Sequence, residues 1–154
     1  MIVHCDGASR GNPGPAGIGV QITDDDGAVL AEIAQGLGIA TNNQAEYTAA
    51  LEGLKRALEL GATRVIVRSD SRLLVEQLSG RFRVKNPTLQ RLHKEVRDVA
   101  ARYERVRFEH VPRERNTEAD RLANEGVDAW LATGGAPGSP SARAIPLWED
   151  ADRS

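Results

Sequence analysis

The order in which strand-like and helical apolar patterns follow one another is the feature that most restricts the fold of this chain. Three short strand-like runs come first, and later strand-like runs alternate with segments whose apolar residues have helical spacing. A three-stranded meander followed by strand–helix alternation predicts an α/β protein with a five-stranded mixed sheet and helices on both faces. Strands are predicted at residues 2–6, 16–23, 28–35, 64–69 and 105–111, and helices from the caps at 41–43 to about 60, and at 71–78, 87–103 and 116–131.

The composition changes near residue 131, where glycine, proline, serine and alanine begin to dominate. We therefore predict one domain over residues 1–131, which is long enough to bury a core, and a tail over 132–154. The tail contains an apolar cluster of Ile145, Leu147 and Trp148. Full burial of each side chain would be worth about 1.5–3 kcal/mol, so we expect the cluster to dock on the domain or on a partner. A disordered tail with incidental apolar residues is the alternative.

The chain lacks the sequence signals of membrane insertion and of secretion. No run approaches the roughly 18 apolar residues of a membrane span, and the first residues do not form a basic and then apolar leader. The lone cysteine, Cys5, excludes an internal disulfide and a cysteine-based zinc site. We expect a cytoplasmic monomer with no membrane partner.

Positive charge is concentrated in the middle of the chain, although the formal net charge is −2. Residues 72–115 carry 12 Lys and Arg against 6 Asp and Glu, whereas residues 1–71 carry 5 against 9 and residues 116–154 carry 3 against 7. A basic surface beside an acidic centre suits a polyanion bound through a metal. A solvated helix face accounts for the same charges equally well.

Four acidic residues stand where predicted elements end or begin. Asp6 closes the first predicted strand and Asp70 closes the fourth, while Glu46 and Asp120 lie in the first turns of the first and last helices. Strand ends and helix starts can converge at one sheet edge, where four carboxylates would repel one another unless divalent cations neutralised them. Hard oxygen ligands suit Mg²⁺ or Mn²⁺, and two such ions about 4 Å apart can hold both oxygens of a phosphoryl displacement. Taken singly, each acid is also explained as a helix-dipole partner, a cap, a buried strand residue or an exposed residue.

Four segments resemble, in order, the signature motifs of the type 1 ribonucleases H. They are residues 6–14 (DGASRGNPG), 41–46 (TNNQAE), 69–71 (SDS) and 116–124 (NTEADRLAN). The resemblance covers about residues 1–130, and four motifs in register with the predicted elements are far more specific than one. It implies a ribonuclease H fold and an endonuclease that hydrolyses the RNA strand of RNA–DNA hybrids by two-metal-ion catalysis, leaving 5′-phosphate and 3′-hydroxyl ends.

The resemblance also implies roles for individual residues. The catalytic set that would bind two Mg²⁺ or Mn²⁺ ions is Asp6, Glu46, Asp70 and Asp120. The residues that would contact the hybrid are Gly11, Asn12, Asn43, Ser71 and Arg72. Asparagine amides carry donors and acceptors, which suits ribose 2′-hydroxyls and base edges. Turn and capping chemistry is the alternative explanation for these glycines and asparagines.

Two departures place the chain with the short form of that family. Only residues 79–86 separate the second and third helices, so that Arg81, Arg83 and Lys85 replace a long basic protrusion. The loop at 112–115 has no histidine before the last aspartate. We predict that Arg113 takes over part of that role: an arginine cannot shuttle protons, but it can stabilise charge on the cleaved phosphate. Phosphate binding alone is the alternative role.

Two other functions remain open at this stage. A non-catalytic hybrid-binding module on the same fold would be favoured by the loss of one carboxylate, and none is lost. A DNA-directed nuclease would use the same fold and metals, but Asn12 and Asn43 favour recognition of ribose.

Overall fold

The computed structural model describes residues 1–134, and the order of its strands and helices is the predicted one. The apolar cluster at 145–148 lies outside the described residues, and the domain boundary after residue 131 stays a prediction. A 3₁₀ turn at Arg113–Arg115 precedes the last helix. The elements are β1 (Ile2–Ser9), β2 (Gly14–Thr23), β3 (Val29–Ala40), α1 (Asn42–Glu59), β4 (Arg64–Ser69), α2 (Arg72–Leu78), α3 (Pro87–Ala100), β5 (Arg105–His110) and α4 (Thr117–Ala132).

The five strands form one mixed sheet in the order β3-β2-β1-β4-β5. The meander β1-β2-β3 is antiparallel, whereas β1 pairs with β4, and β4 with β5, in parallel. The parallel pairs follow from the intervening helices, because a parallel connection needs a crossover of a dozen or more residues. The predicted mixed sheet is confirmed.

Helices cover both faces of the sheet, as predicted. On one face, Gly53 of α1 packs against the side chains of Val3 and Val20. On the other, Gly19 of β2 approaches the backbone of Ala119 in α4 so closely that a Cβ atom would overlap it. Successive residues of a strand point to opposite faces, so Gly19 and Val20 place α4 and α1 on opposite sides. The main core lies on the α1 side, where α3 also packs.

The first strands are longer than predicted, and this changes the placement of Asp6. β1 continues to Ser9 and β2 begins at Gly14, because Gly7–Ser9 pair with Ala16–Ile18 across the hairpin. The prediction that Asp6 closes the first strand is therefore wrong. Turn-forming residue types were overridden by backbone pairing with a partner strand.

Two other boundaries also differ from the prediction, and both lie where the chain contacts a distant segment. β3 runs to Ala40 rather than to residue 35, since its glycines pair with β2 across an irregularity between Ala16 and Gly17. α3 ends at Ala100 rather than near 103, and Tyr103 is buried beyond it with its hydroxyl donating to the carbonyl of Leu54 at 2.6 Å.

No helix within residues 1–134 is long and apolar enough to cross a membrane.

Candidate active site

The two central strands bring Asp6 and Asp70 to the same edge of the sheet. The parallel pairing of β1 with β4 ends at His4 and Arg68. Asp6 follows two residues later on β1, where it pairs only with Gly19 of β2, and Asp70 directly follows the end of β4. Both carboxylates thus lie just past the parallel pairing of β1 with β4, on the side toward which both strands run, where α/β proteins place their ligands.

Helix α1 brings Glu46 to the same place through a capping box and a glycine contact. Thr41 accepts a hydrogen bond from the Gln44 N–H at 3.2 Å, and the Gln44 side chain accepts one from the Thr41 N–H at 2.8 Å. These bonds fix the first turn of the helix, and Glu46 lies just beyond it. A Cβ atom on Gly7 would overlap the backbone of Ala45 and Glu46, so only glycine allows α1 to lie this close to Asp6.

The carboxylates of Asp6, Glu46 and Asp70 form a compact cluster. Each offers one oxygen, and these oxygens lie within 4.8 Å of one another. Asp120, from the first turn of α4, lies outside this cluster but is close enough to act electrostatically on Asp6 and Asp70. All four line one open cleft of about 500 Å³.

Burial and mutual repulsion raise the pKa values of Asp6, Glu46 and Asp70. Burial, and then the charge of Asp70, raise the pKa of Asp6 to about 7. Burial, and then Asp6, hold the pKa of Glu46 well above its ordinary value. Burial also raises the pKa of Asp70, and the nearby Arg113 opposes that rise. Ionising the whole cluster at neutral pH is therefore unfavourable without a cation.

One oxygen of the cluster provides a test of whether a metal fits. Oε2 of Glu46 is fully buried and has no hydrogen-bond partner among the described residues. An unpaired buried carboxylate oxygen is costly unless an ion or water binds it. A set of carboxylate oxygens suits hard divalent cations such as Mg²⁺ and Mn²⁺, so the residues present fit such a group.

Of the residues predicted to contact substrate or phosphate, some line the cleft and others do not. Ser71 and Arg113 line the cleft. Gly11, Asn12, Asn43 and Arg72 are exposed and are not among the residues that line it.

The turn and capping explanation accounts for part of this second group. The Asn12 Oδ1 accepts a hydrogen bond from the Asn42 N–H at 3.0 Å and so satisfies a free amide at the start of α1. Gly11 has a φ of 124°, which favours glycine. Both Gly11 and Asn12 are exposed, so these contacts leave them accessible to a ligand.

The cleft also contains residues that the sequence reasoning did not single out: Arg10, Asn42 and Asn124. Arg10 pairs with Asp128 at 2.7 Å, and the Asn124 Nδ2 donates to the backbone carbonyl of Asp120 at 3.0 Å. Asn124 was detectable, since it lies four residues after Asp120 and so shares its helix face.

Comparison with known proteins agrees with this architecture. The family model described as reverse transcriptase-like matches residues 4–126. The bifunctional protein Rv2228c of Mycobacterium tuberculosis is 48% identical over 142 residues, which are 92% of this chain and 39% of that protein. Ribonuclease HI of Halobacterium salinarum is 42% identical over 125 residues, covering 81% of this chain and 63% of that protein. This chain thus spans well under two thirds of the first of these relatives and slightly under two thirds of the second.

A solved structure of LC11-RNase H1 in complex with an RNA/DNA hybrid superimposes with a TM-score of 0.81 at 41% identity, covering 84% of this chain and 98% of that one. The mixed sheet, the helices on both faces and the carboxylates just past the pairing of β1 with β4 define an α/β protein of the ribonuclease H fold. The family model and the relatives at 41–48% identity show that this chain belongs to the ribonuclease H family.

Proposed function

We propose that this protein is an endonuclease that hydrolyses the RNA strand of RNA–DNA hybrids and leaves 5′-phosphate and 3′-hydroxyl ends. The observation that carries the proposal is the cluster of Asp6, Glu46 and Asp70, two of them buried and all with raised pKa values, open to a cleft in a member of the ribonuclease H family. The solved complex of LC11-RNase H1 with an RNA/DNA hybrid supports the same class of ligand here.

In this proposal Asp6, Glu46, Asp70 and Asp120 hold two Mg²⁺ ions, with Mn²⁺ as the other suitable ion. Bound there, the two ions would supply an activated water and stabilise the leaving oxygen of an in-line displacement. The side chains themselves act as ligands, and their fixed positions on strands and helix starts keep those oxygens aligned. The unpaired Oε2 of Glu46 is the oxygen that most requires such a partner.

Two arginines flank the carboxylates in the cleft. Arg113 is close enough to Asp70 to oppose the rise of its pKa, and Arg10, which pairs with Asp128, also lines the cleft. A phosphodiester bound over the carboxylates would bring its negative charge near the Arg113 guanidinium. We propose that Arg113 stabilises charge on the phosphate during cleavage.

Recognition of the RNA strand is assigned to the exposed residues around the cleft. Ser71 lines the cleft itself, whereas Gly11, Asn12, Asn43 and Arg72 are exposed outside its lining. Amide and hydroxyl groups at these positions would hydrogen-bond with ribose 2′-hydroxyls, which distinguish RNA from DNA.

The experiment that tests this proposal is a comparison of substrates of one sequence. Hybrid, double-stranded RNA and double-stranded DNA are incubated with the protein and Mg²⁺, and product ends are identified by enzymatic extension and by 5′ dephosphorylation. Cleavage of the RNA strand of the hybrid alone, lost on adding EDTA, is expected. Binding of hybrid without cleavage would show a binding module, and cleavage of DNA would show a DNA-directed nuclease.

The oligomeric state and the location are also proposals: a monomer acting in the cytoplasm. Light scattering of the purified protein tests the first, and fractionation of the source cells tests the second.

A further inference from the structure

Asn116 sits at the cap position of α4 but does not cap it. The helix has no side-chain hydrogen bond at its cap residue. An asparagine at this position usually accepts a helix N–H through its side-chain oxygen, which is worth about 1 kcal/mol. Here Oδ1 is buried and has no hydrogen-bond partner within residues 1–134, although the residue is only 2% exposed. The Asn116 side chain therefore does not form the usual capping hydrogen bond.

The side chain instead reaches the strand that carries Asp6. The Asn116 Nδ2 donates a buried hydrogen bond of 3.0 Å to the carbonyl oxygen of Cys5. That carbonyl belongs to the peptide bond that joins Cys5 to Asp6. The bond therefore fixes the backbone immediately before the first carboxylate of the cluster.

The backbone of the same residue holds the last carboxylate. The Asn116 carbonyl accepts the first helical hydrogen bond of α4, from the Asp120 N–H at 3.1 Å. Gly19, which pairs with Asp6 across the hairpin, allows α4 to approach the sheet at Ala119. One residue thus connects the backbones of Asp6 and Asp120 at a place where the helix lies in direct contact with the strand.

We infer that Asn116 is a positioning residue that sets the separation of Asp6 and Asp120 for metal binding. This inference rests on the proposed function, because it concerns the same carboxylates. Local rules of helix capping are broken most often at functional sites, where another requirement overrides them. The alternative is that Asn116 only fastens α4 to the sheet.

The test compares Asn116→Ala and Asn116→Ser with Val99→Ala, a core variant in α3 away from the cleft. Mn²⁺ affinity is measured by calorimetry without substrate, kcat and KM are measured on a hybrid, and Tm is measured for each. Loss of a partner that orients metal ligands weakens metal affinity or activity about 10- to 100-fold. We expect both Asn116 variants to lose Mn²⁺ affinity and kcat by such a factor, with KM for hybrid changed less than about twofold, because no direct contact to the hybrid is removed.

The serine variant separates positioning from stability. Serine caps helices well but is too short to reach the Cys5 carbonyl, so Asn116→Ser should have a higher Tm than Asn116→Ala without recovering kcat. The inference is overturned if Asn116→Ser has parental Mn²⁺ affinity and kcat, or if Val99→Ala with an equal loss of Tm loses as much of both. Failure of the parent protein to cleave hybrid would overturn the proposed function instead, whereas the Mn²⁺ measurement tests this inference without cleavage.

Discussion

The carboxylates of the cleft and those of the outer surface have opposite electrostatic environments. In the cleft, burial and neighbouring acids raise the pKa of Asp6 to about 7. On the surface, Glu76 accepts hydrogen bonds from Arg81 at 2.7 and 3.1 Å, and this arginine lowers the pKa of Glu76. Arg81 thus offsets the charge of Glu76, whereas Asp6, Glu46 and Asp70 keep raised pKa values in the metal-free cleft.

Helix α4 contains both environments within two turns. Arg121 pairs with Glu118 at 2.8 Å and with Glu125 at 2.6 Å on the outer side. Asp120 directly precedes Arg121, and Asn124 directly precedes Glu125, yet Asp120 and Asn124 line the cleft. A rotation of about 100° per residue therefore separates a face of paired charges from the face that lines the cleft.

The largest expected effect comes from removing one charge of the cleft. Asp70→Asn is isosteric, so folding should be nearly intact, while hybrid cleavage with Mg²⁺ should fall by more than about 100-fold, the upper range for groups that only support metal ligands. Asp98→Asn is the matched control, since Asp98 is an exposed partner of Lys94. Near-parental cleavage by Asp70→Asn would rule out the assignment of metal ligands.

Metal should relieve the repulsion that distinguishes the cleft from the surface. Saturating Mg²⁺ or Mn²⁺ is expected to raise Tm by linkage. A metal concentration of 100 times Kd adds about 2.7 kcal/mol to the free energy of unfolding. The rise should be reduced in Asp70→Asn and retained in Asp98→Asn, as followed by calorimetry. A Tm that does not respond to metal in the parent protein would argue against a preformed cluster.

The two environments should also respond oppositely to pH in metal-free protein. The pKa of Asp6 is raised from 3.8 to about 7, so its contribution favours folding below about pH 4 and is lost as the pH rises through 7. Asp6→Asn should therefore raise Tm at pH 8 and have little effect near pH 4.

Glu76→Gln is the control for that pH series, because its sign is reversed. The lowered pKa of Glu76 means that its ionised form is stabilised above its ordinary pKa of 4.5, so this variant should not raise Tm at pH 8. A similar rise in both variants would show that the two environments do not differ as described.

The smallest expected effect concerns Arg113, the arginine that lines the cleft and acts on Asp70. Arg113→Ala should lower kcat about tenfold while changing hybrid affinity less, because its proposed role is to stabilise charge that develops during cleavage. Arg115→Ala is the control, since Arg115 lies in the same 3₁₀ turn but does not line the cleft. A change in binding alone, with the salt dependence reduced by about one contact, would make Arg113 a phosphate-binding residue only.

Much of the fold, and the places of Glu46, Asp70 and Asp120 at the ends or starts of elements, were predictable from local signals in the sequence. Apolar periodicity gave the order of elements, and the Thr41 cap and Gly61 marked the two ends of α1, where the glycine adopts a φ of 93°. The motif spacing placed Glu46 and Asp120 near helix starts and Asp70 after a buried strand. These signals are readable because they depend on residues close together along the chain.

Contacts between distant segments were decided by the tertiary structure alone. The extension of β1 beyond Asp6 depends on pairing with β2, and the approach of Glu46 to Asp6 depends on the missing side chain of Gly7. Asn116 was predicted only as the first residue of the last helix, and its contact with Cys5, 111 residues earlier, is visible only in the structure. Sequence patterns specify which groups a residue offers, whereas the partner that satisfies each buried group depends on how the chain packs.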